Sequence, residues 1–426
     1  MQCSSEPSEP NIFLAVEEPD GQWLSLGDAG SGLTSAEYSA MYGRLMRLAK
    51  AGRVRSRISV NDRVIATIEG PHVLLDSASG VDVSELRLSP DVYMYPHDET
   101  IIVACLSTRS LVRMSPLGVS YLMNPDSAPA SVSAAFSSLG LLVHRNASDE
   151  GQPGDWWSLE EALPLIRSRA GTHVGGYGGT YRRCEENGGM PAIQPLGMET
   201  DSQSEAVAAT RTGHTGPELS LSAALRERRS RRDHSGPAAE LSDVAQVLAR
   251  SAAGTLTGSG PHGDCFYRFP YPSGGSLGEL CFIIIANRGT RDGEPLSGQI
   301  FEYSPTRSVL SELDADPAGV RYAVHTYSQI SGIEKSRLQY IIVVLADVAR
   351  VLAKYESVGP ALILKHVGAW MQTMYLCAED SNLGVCALGG GPGDLLARLL
   401  GETRAGGVTR AFPVGEMVIA SRTSTG

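Results

Sequence analysis

Between residues 57 and 145 the chain alternates short apolar runs with turn residues, which predicts short strands at 63–68, 72–75, 92–95 and 101–105. Two brief helices are expected after them. Ser115 is a suitable cap and Pro116 a suitable first helical residue for a run to Met123 that carries Leu117 and Tyr121 on one face. A second run, 130–139, stops before Gly140, and 141–144 has the pattern of a returning strand. From Asn146 to about Leu219 the periodicity breaks. The stretch 171–197 is rich in glycine and 200–216 is small and polar, so this part reads as a connector interrupted by a helix over 158–169. A connector of that length points to ordering by a partner, a ligand or a second subunit.

From Leu219 onward helices and strands alternate. The run 241–253 suits a helix with Val244, Val247 and Leu248 on one face, whereas 280–286 holds three successive β-branched isoleucines and suits a strand. The runs 298–303 and 340–345 predict two further buried strands, because Ile341, Ile342, Val343 and Val344 give no amphipathic stripe. After Pro360, residues 361–383 predict a long helix stopping at Gly384, with Leu364, Met371, Tyr375 and Ala378 along one stripe. A helix apolar on most sides belongs at a domain centre or a dimer interface. Three segments result: an N-terminal domain over 1–150, the connector over 151–218, and a C-terminal domain over 219–426.

Composition narrows the class. A chain of 426 residues that is 42% hydrophobic is long enough for two cores, and 47 acidic against 36 basic residues give a formal charge of −11. That balance argues against a general affinity for nucleic acid or an anionic membrane. The first thirty residues contain acidic groups and no long apolar run, so neither a signal peptide nor a membrane span is expected, and a cytoplasmic protein is. Seven isolated cysteines without a CxxC pair predict free thiols and no metal site.

Three segments and one dipeptide carry candidate chemistry. Arg226, Arg228, Arg229, Arg231 and Arg232 concentrate five guanidinium groups within seven residues around Ser230, a set that suits phosphate oxygens or else forms a solvated basic face. Pro272, Ser273, Gly274 and Gly275 precede the 280–286 strand and either let the backbone approach a flat ligand or simply turn the chain. Leu388, Gly389, Gly390 and Gly391 lead to a helix expected from 391 or 392 to 400. Backbone amides there could bond an electron-rich acceptor, the alternative being a helix cap followed by a connector. Lys354 and Tyr355 offer a base, or a hydroxyl polarised by a neighbouring amine; as an isolated dipeptide they are an ordinary surface pair.

Arginine–arginine–serine–x–arginine, then Pro-Ser-Gly-Gly before a strand, then a long helix and a glycine run together resemble the nitroreductase-fold flavoproteins over 219–422. Within that fold the chain is most similar to the SagB-type azoline dehydrogenases, which carry a Lys-Tyr pair where Lys354 and Tyr355 stand. The resemblance implies an α+β fold with a central, mostly antiparallel sheet flanked by helices. It further implies FMN held at a homodimer interface, with Arg228, Arg229, Ser230 and Arg232 at the phosphate and ribityl chain. Pro272, Ser273, Gly274 and Gly275 would lie beside the cofactor, Leu388, Gly389, Gly390 and Gly391 near its ring edge, and Lys354 and Tyr355 at the chemistry.

The implied activity is oxidation of thiazoline or oxazoline rings in a ribosomally made precursor peptide, with dioxygen reoxidising the flavin and a cyclodehydratase supplying the rings. The N-terminal domain resembles the winged-helix-like peptide clamp of that branch, or else only shields the core. The chain departs from the branch at Leu277, Gly278 and Glu279, where an aromatic residue and a proline are usual, and at 361–364. His366 matches a family histidine, Pro413, Val414 and Gly415 match a strand entry, and Arg422 is read as a solvent-exposed tail residue, the alternative being that it reaches the phosphate. Two other readings remain open at this point: an NAD(P)H-dependent nitro or quinone reductase, and a noncatalytic scaffold of a peptide-modifying complex.

Overall fold

The computed structural model describes residues 15–17, 23–25, 34, 56–69, 85–105, 108, 110–145, 163–164, 168–169, 178–192, 207–208, 219–401 and 412–423. Contacts divide the chain into two compact units, Met1–Gly175 and Gly176–Gly426. The expected strand at 72–75 and most of the expected helix at 158–169 lie outside the described residues.

In the first unit the strands are β1 (Ala15–Glu17), β2 (Trp23–Ser25), β3 (Ser56–Val60), β4 (Arg63–Glu69), β5 (Leu86–Leu88), β6 (Val92–His97), β7 (Thr100–Cys105), β8 (Leu111–Met114) and β9 (Leu142–His144). Helices α1 (Pro116–Met123) and α2 (Ala130–Ser138) stand between β8 and β9. Seven strands form one antiparallel sheet in the order β2-β1-β3-β4-β8-β7-β6, and β5 pairs with β9 apart from it. The sheet is broader than the small module expected, because β1, β2, β3 and β8 add to the predicted strands. Ser115 caps α1 by accepting a hydrogen bond from Gly118 N at 3.3 Å. Gly118 itself lies so close to β4 that a Cβ would come within 2.4 Å of the Ile65 carbonyl, which fixes how α1 seats on the sheet. Ile58, Ile68, Val103, Val112 and Met114 pack there with Leu122, Val132 and Phe136.

The second unit contains β10 (Gly178–Gly179), α3 (Arg182–Glu186), β11 (Val207–Ala208), α4 (Leu221–Glu227), α5 (Leu241–Ala252), β12 (Thr255–Ser259), β13 (Cys265–Arg268), β14 (Leu280–Ala286), β15 (Gly289–Arg291), β16 (Glu294–Leu296), β17 (Gln299–Ser304) and β18 (Val309–Leu313). It continues through α6 (Pro317–Ser331), β19 (Tyr340–Ala346), α7 (Val348–Lys354), β20 (Tyr355–Glu356), α8 (Gly359–Asp380), β21 (Leu383–Leu388), α9 (Leu395–Leu400) and β22 (Phe412–Ser421). The main sheet is antiparallel throughout, ordered β11-β18-β17-β14-β19-β22-β21.

Helices cover both faces of this sheet, which is why its central strands read as continuous apolar runs. Phe282, Ile284, Ile342 and Val344 pack with α5 and α8, while Ile283, Ile285, Ile341 and Val343 pack with α6 and α9. Among the described residues no helix is long and apolar enough to cross a membrane.

Two boundaries differ from expectation by enough to reassign residues. Helix α8 ends at Asp380 rather than at 383, because Asn382 adopts a left-handed φ of 53° and makes the turn assigned to Gly384. The apolar run after it can then pair with β22 as β21. Helix α9 begins at Leu395, so Gly389, Gly390 and Gly391 form a connector from β21 and do not open the helix directly.

Candidate active site

Helix α8 organises the candidate residues. Near its start His366 accepts a hydrogen bond from Gly274 N at 2.7 Å through Nε2, so its proton sits on Nδ1 and is donated to the buried carboxylate of Glu279. This chain of contacts fixes the Pro272–Gly275 segment against the helix. Near its end Tyr375 accepts from Ala387 N at 2.8 Å and shares a hydrogen bond with Ser230 Oγ at 2.9 Å, while the Arg228 guanidinium lies 5.1 Å from the Tyr375 ring centroid. Nine residues separate His366 from Tyr375, about two and a half turns and roughly 13 Å along the axis, so the two side chains leave α8 on opposite sides.

The sequence-predicted residues therefore fall into two groups. Arg228, Arg229, Ser230 and Arg232 run beside β21, where Arg231 N donates to Val385 O at 2.9 Å, and Leu388, Gly389, Gly390 and Gly391 continue from the same strand. Pro272, Ser273, Gly274 and Gly275 lie instead with Lys354 and Tyr355. One chain does not bring the two groups together.

The arginines of the first group differ in their surroundings. Arg229 and Arg232 are exposed and meet no carboxylate among the described residues. Arg231 is different: it turns inward to Glu379 at 3.4 Å. Arg422, expected in solvent, is half-buried, with its guanidinium paired to Glu379 and donating to Leu383 O at 3.1 Å. An apolar core leaves this strand end no other way to keep a cation, and burial pushes the Arg422 guanidinium below its ordinary range. Ideal Cβ atoms on Gly389 and Gly390 meet nothing within 4 Å, whereas one on Gly391 would lie 2.6 Å from both Glu416 and Tyr327.

In the second group, α7 ends at Lys354 and the chain passes into β20, whose Tyr355 pairs with Gly179. The Tyr355 hydroxyl sits over Gly275, where a Cβ would approach it to 2.5 Å. Gly275 has a φ of 74°, so Gly275→Ala should cost about 1–3 kcal/mol in backbone strain and also displace Tyr355, a loss that thermal unfolding will register. Burial pushes the Tyr355 hydroxyl up, opposed by the Lys354 charge. The Ser273 hydroxyl is buried with no hydrogen-bond partner among the described residues, an acceptor and donor left open to a ligand.

Several residues essential to this geometry were not singled out from sequence. Arg350 donates to Leu277 O at 2.6 Å and to Pro191 O at 2.7 Å, tying α7 to the loop after Gly275. Glu356 receives Thr180 Oγ1 at 2.6 Å and Arg182 at 2.9 Å, and the Arg182 hydrogen bond holds its carboxyl below the usual range. These partners come from the glycine-rich connector, which carries no periodic signal. Tyr375 was legible only as part of an apolar stripe.

Residues 225–416 match the model of the Nitroreductase family. No curated protein matches the chain. Similar solved structures include a nitroreductase-like protein from Ralstonia eutropha, at 14% identity over 55% of this chain and 98% of that one, with a TM-score of 0.37. The microcin synthetase McbBCD complex of E. coli is similar at 16% identity, covering 62% of this chain and 94% of that one, with a TM-score of 0.35. A nitroreductase family protein from Clostridium novyi is similar at 11% identity, covering 49% and 87%, with a TM-score of 0.32. The region from 225 to 416 is thus similar to the nitroreductase family, and the α+β architecture of the second unit is consistent with that fold.

Proposed function

We propose that this chain is an FMN-dependent azoline dehydrogenase, converting thiazoline or oxazoline rings of a modified precursor peptide to thiazoles or oxazoles. The observation that carries the reading is the second group: a largely enclosed lysine and a tyrosine hydroxyl held over a glycine pair in a nitroreductase-type domain. Aromatising an azoline removes one proton and one hydride, so it needs a proton acceptor beside an electron acceptor.

The residues present fit FMN. Arg229 and Arg232 offer forked donors for a phosphate, Ser230 a hydroxyl, and the open Gly389–Gly390 backbone and the unpartnered Ser273 hydroxyl offer contacts for a flat ring. When bound, FMN would supply the hydride acceptor, with dioxygen as its oxidant. Lys354 and Tyr355 handle the proton, and Glu279 with His366 hold the Ser273–Gly275 backbone so that it can face a ring. Because the two groups leave α8 on opposite sides, a site using both is completed by a second copy of the chain, and a particle of twice 45.2 kDa is expected in solution. A cyclodehydratase is the partner that would make the rings.

Purified protein should release FMN on denaturation and remove about 2 Da per ring from an azoline-bearing peptide, the mass of the proton and hydride. Flavin reduced rapidly by NAD(P)H, with the peptide unchanged, would replace this reading by a nitro or quinone reductase; protein that cannot be loaded with flavin would leave a scaffold. Changing Arg229 and Arg232 together to alanine should weaken FMN binding by at least about 10-fold, the loss of charge-assisted hydrogen bonds, as measured by fluorescence titration.

A further inference from the structure

Lys354 is one of only four lysines in the chain, with Lys50, Lys335 and Lys365, against a large excess of arginine. Lys335 and Lys365 are exposed; the Lys354 side chain is 12% exposed. Its ammonium lies 5.0 Å from the Tyr181 ring centroid, 5.3 Å from that of Phe266 and 5.7 Å from that of Tyr355. One carboxylate enters this aromatic box. Asp264, fully buried at the entry to β13, places Oδ2 at 3.9 Å from Lys354 Nζ and accepts from the Tyr181 hydroxyl at 3.2 Å through the same oxygen.

The rest of the box explains why the carboxylate stays there. Asp264 Oδ1 has no hydrogen-bond partner among the described residues, so Lys354 is the cation that meets this charge. Gly260 leaves room for the carboxylate, since a Cβ there would lie 2.0 Å from Oδ1. Tyr181 is fixed by a backbone hydrogen bond to Lys354 O at 3.1 Å and by stacking on His262 at 4.4 Å. Burial next to Asp264 pushes its hydroxyl up to about 12, which keeps it a donor. Tyr181 belongs to a segment outside the 225–416 region matched by the nitroreductase model, so the box is completed by a part of the chain that the family pattern does not cover.

We propose that Asp264, held by Tyr181, is a positioning residue that keeps Lys354 an ammonium beside Tyr355, so that Lys354 acts as a fixed cation and not as the proton acceptor. The inference rests on the azoline-dehydrogenase reading for its role in the reaction, but the charge state of Lys354 stands apart from it. An ammonium has no lone pair to take a substrate proton, which leaves Tyr355 of the pair for that task, and its positive charge opposes the burial that disfavours a Tyr355 phenolate. The titratable groups around Lys354 are Asp264, Tyr181 and Tyr355, with Cys184 and His262 beside Tyr181 and Glu279 beside Tyr355.

With so few lysines, selective 13Cε-lysine labelling resolves each titration by NMR, and Lys354→Arg assigns the signal. In the FMN-loaded wild type Lys354 should be an ammonium under the assay conditions, whereas Asp264→Asn should lower its midpoint and leave Lys335 and Lys365 unmoved. Asp264→Glu should restore the wild-type midpoint. In parallel, Asp264→Asn should bring the alkaline limb of kcat/KM for azoline oxidation down with the Lys354 midpoint. Wild-type Lys354 already neutral near pH 7, an unmoved midpoint in Asp264→Asn, or movement of the acid limb alone would overturn the proposal. The wild-type titration decides even if the variant fails to fold. Lys354 behaving as expected in protein that oxidises no azoline would uphold the positioning role and reject the assigned reaction.

Discussion

Replacing Lys354 by alanine is expected to leave FMN bound and to lower the rate of azoline oxidation by about 100- to 1,000-fold, the loss that follows removal of one preorganised charge beside a reacting group. FMN should stay because none of the arginines assigned to its phosphate lies in this group; they lie beside β21, on the other side of α8 from Gly275. The substitution also strands a fully buried carboxylate, Asp264, without its cation, so part of any loss could come from unfolding. Pairing Lys354→Met with Asp264→Asn separates the two causes: both charges are gone, stability should return, and the rate should not. Product mass measured under single turnover distinguishes the variants. A Lys354→Ala protein with full turnover would remove the pair from the reaction.

The second large effect concerns stability. Glu379→Ala should destabilise the second unit by about 3–5 kcal/mol, the cost of stranding buried charges when one partner of a pair is removed. Glu379 is buried and its Oε2 receives both Arg231 and Arg422. Without it, two guanidinium groups of like charge face each other inside the protein. The consequence extends to the candidate phosphate site, since Arg231 N also anchors the arginine segment to Val385 O. A lower unfolding midpoint in urea, accompanied by weaker FMN retention, is the expected pair of observations. Glu379→Gln should lose less, because the amide keeps one acceptor for the arginines.

Much of the second unit was legible because its strands are buried on both faces. The run 280–286 became β14 without adjustment, and 340–345 fell one residue short of β19. What the pattern did not yield is equally physical. The β12–β13 hairpin that delivers Asp264 is mostly exposed or half-buried and carries no clean alternation. Tyr181 sits with a left-handed φ of 58° in a glycine-rich stretch, where no periodicity announces a packed side chain. Local patterns report burial on regular elements; they do not report which distant loop supplies the wall of a box. The motif residues themselves were found, but their division between two sides of one helix appears only in three dimensions.

That division makes α8 a spacer as much as a core element. A helix has a fixed pitch, so inserting one residue between His366 and Tyr375 would swing everything beyond it by about 100° and advance it by about 1.5 Å. Tyr375 would then face neither Ser230 nor Ala387, although every motif in the sequence would remain intact. Point substitutions along the exposed side of α8, such as at Leu364 or Lys365, leave that angle alone. The span between the two groups is thus counted in residues, and drift in helix length is constrained more tightly than drift in helix composition.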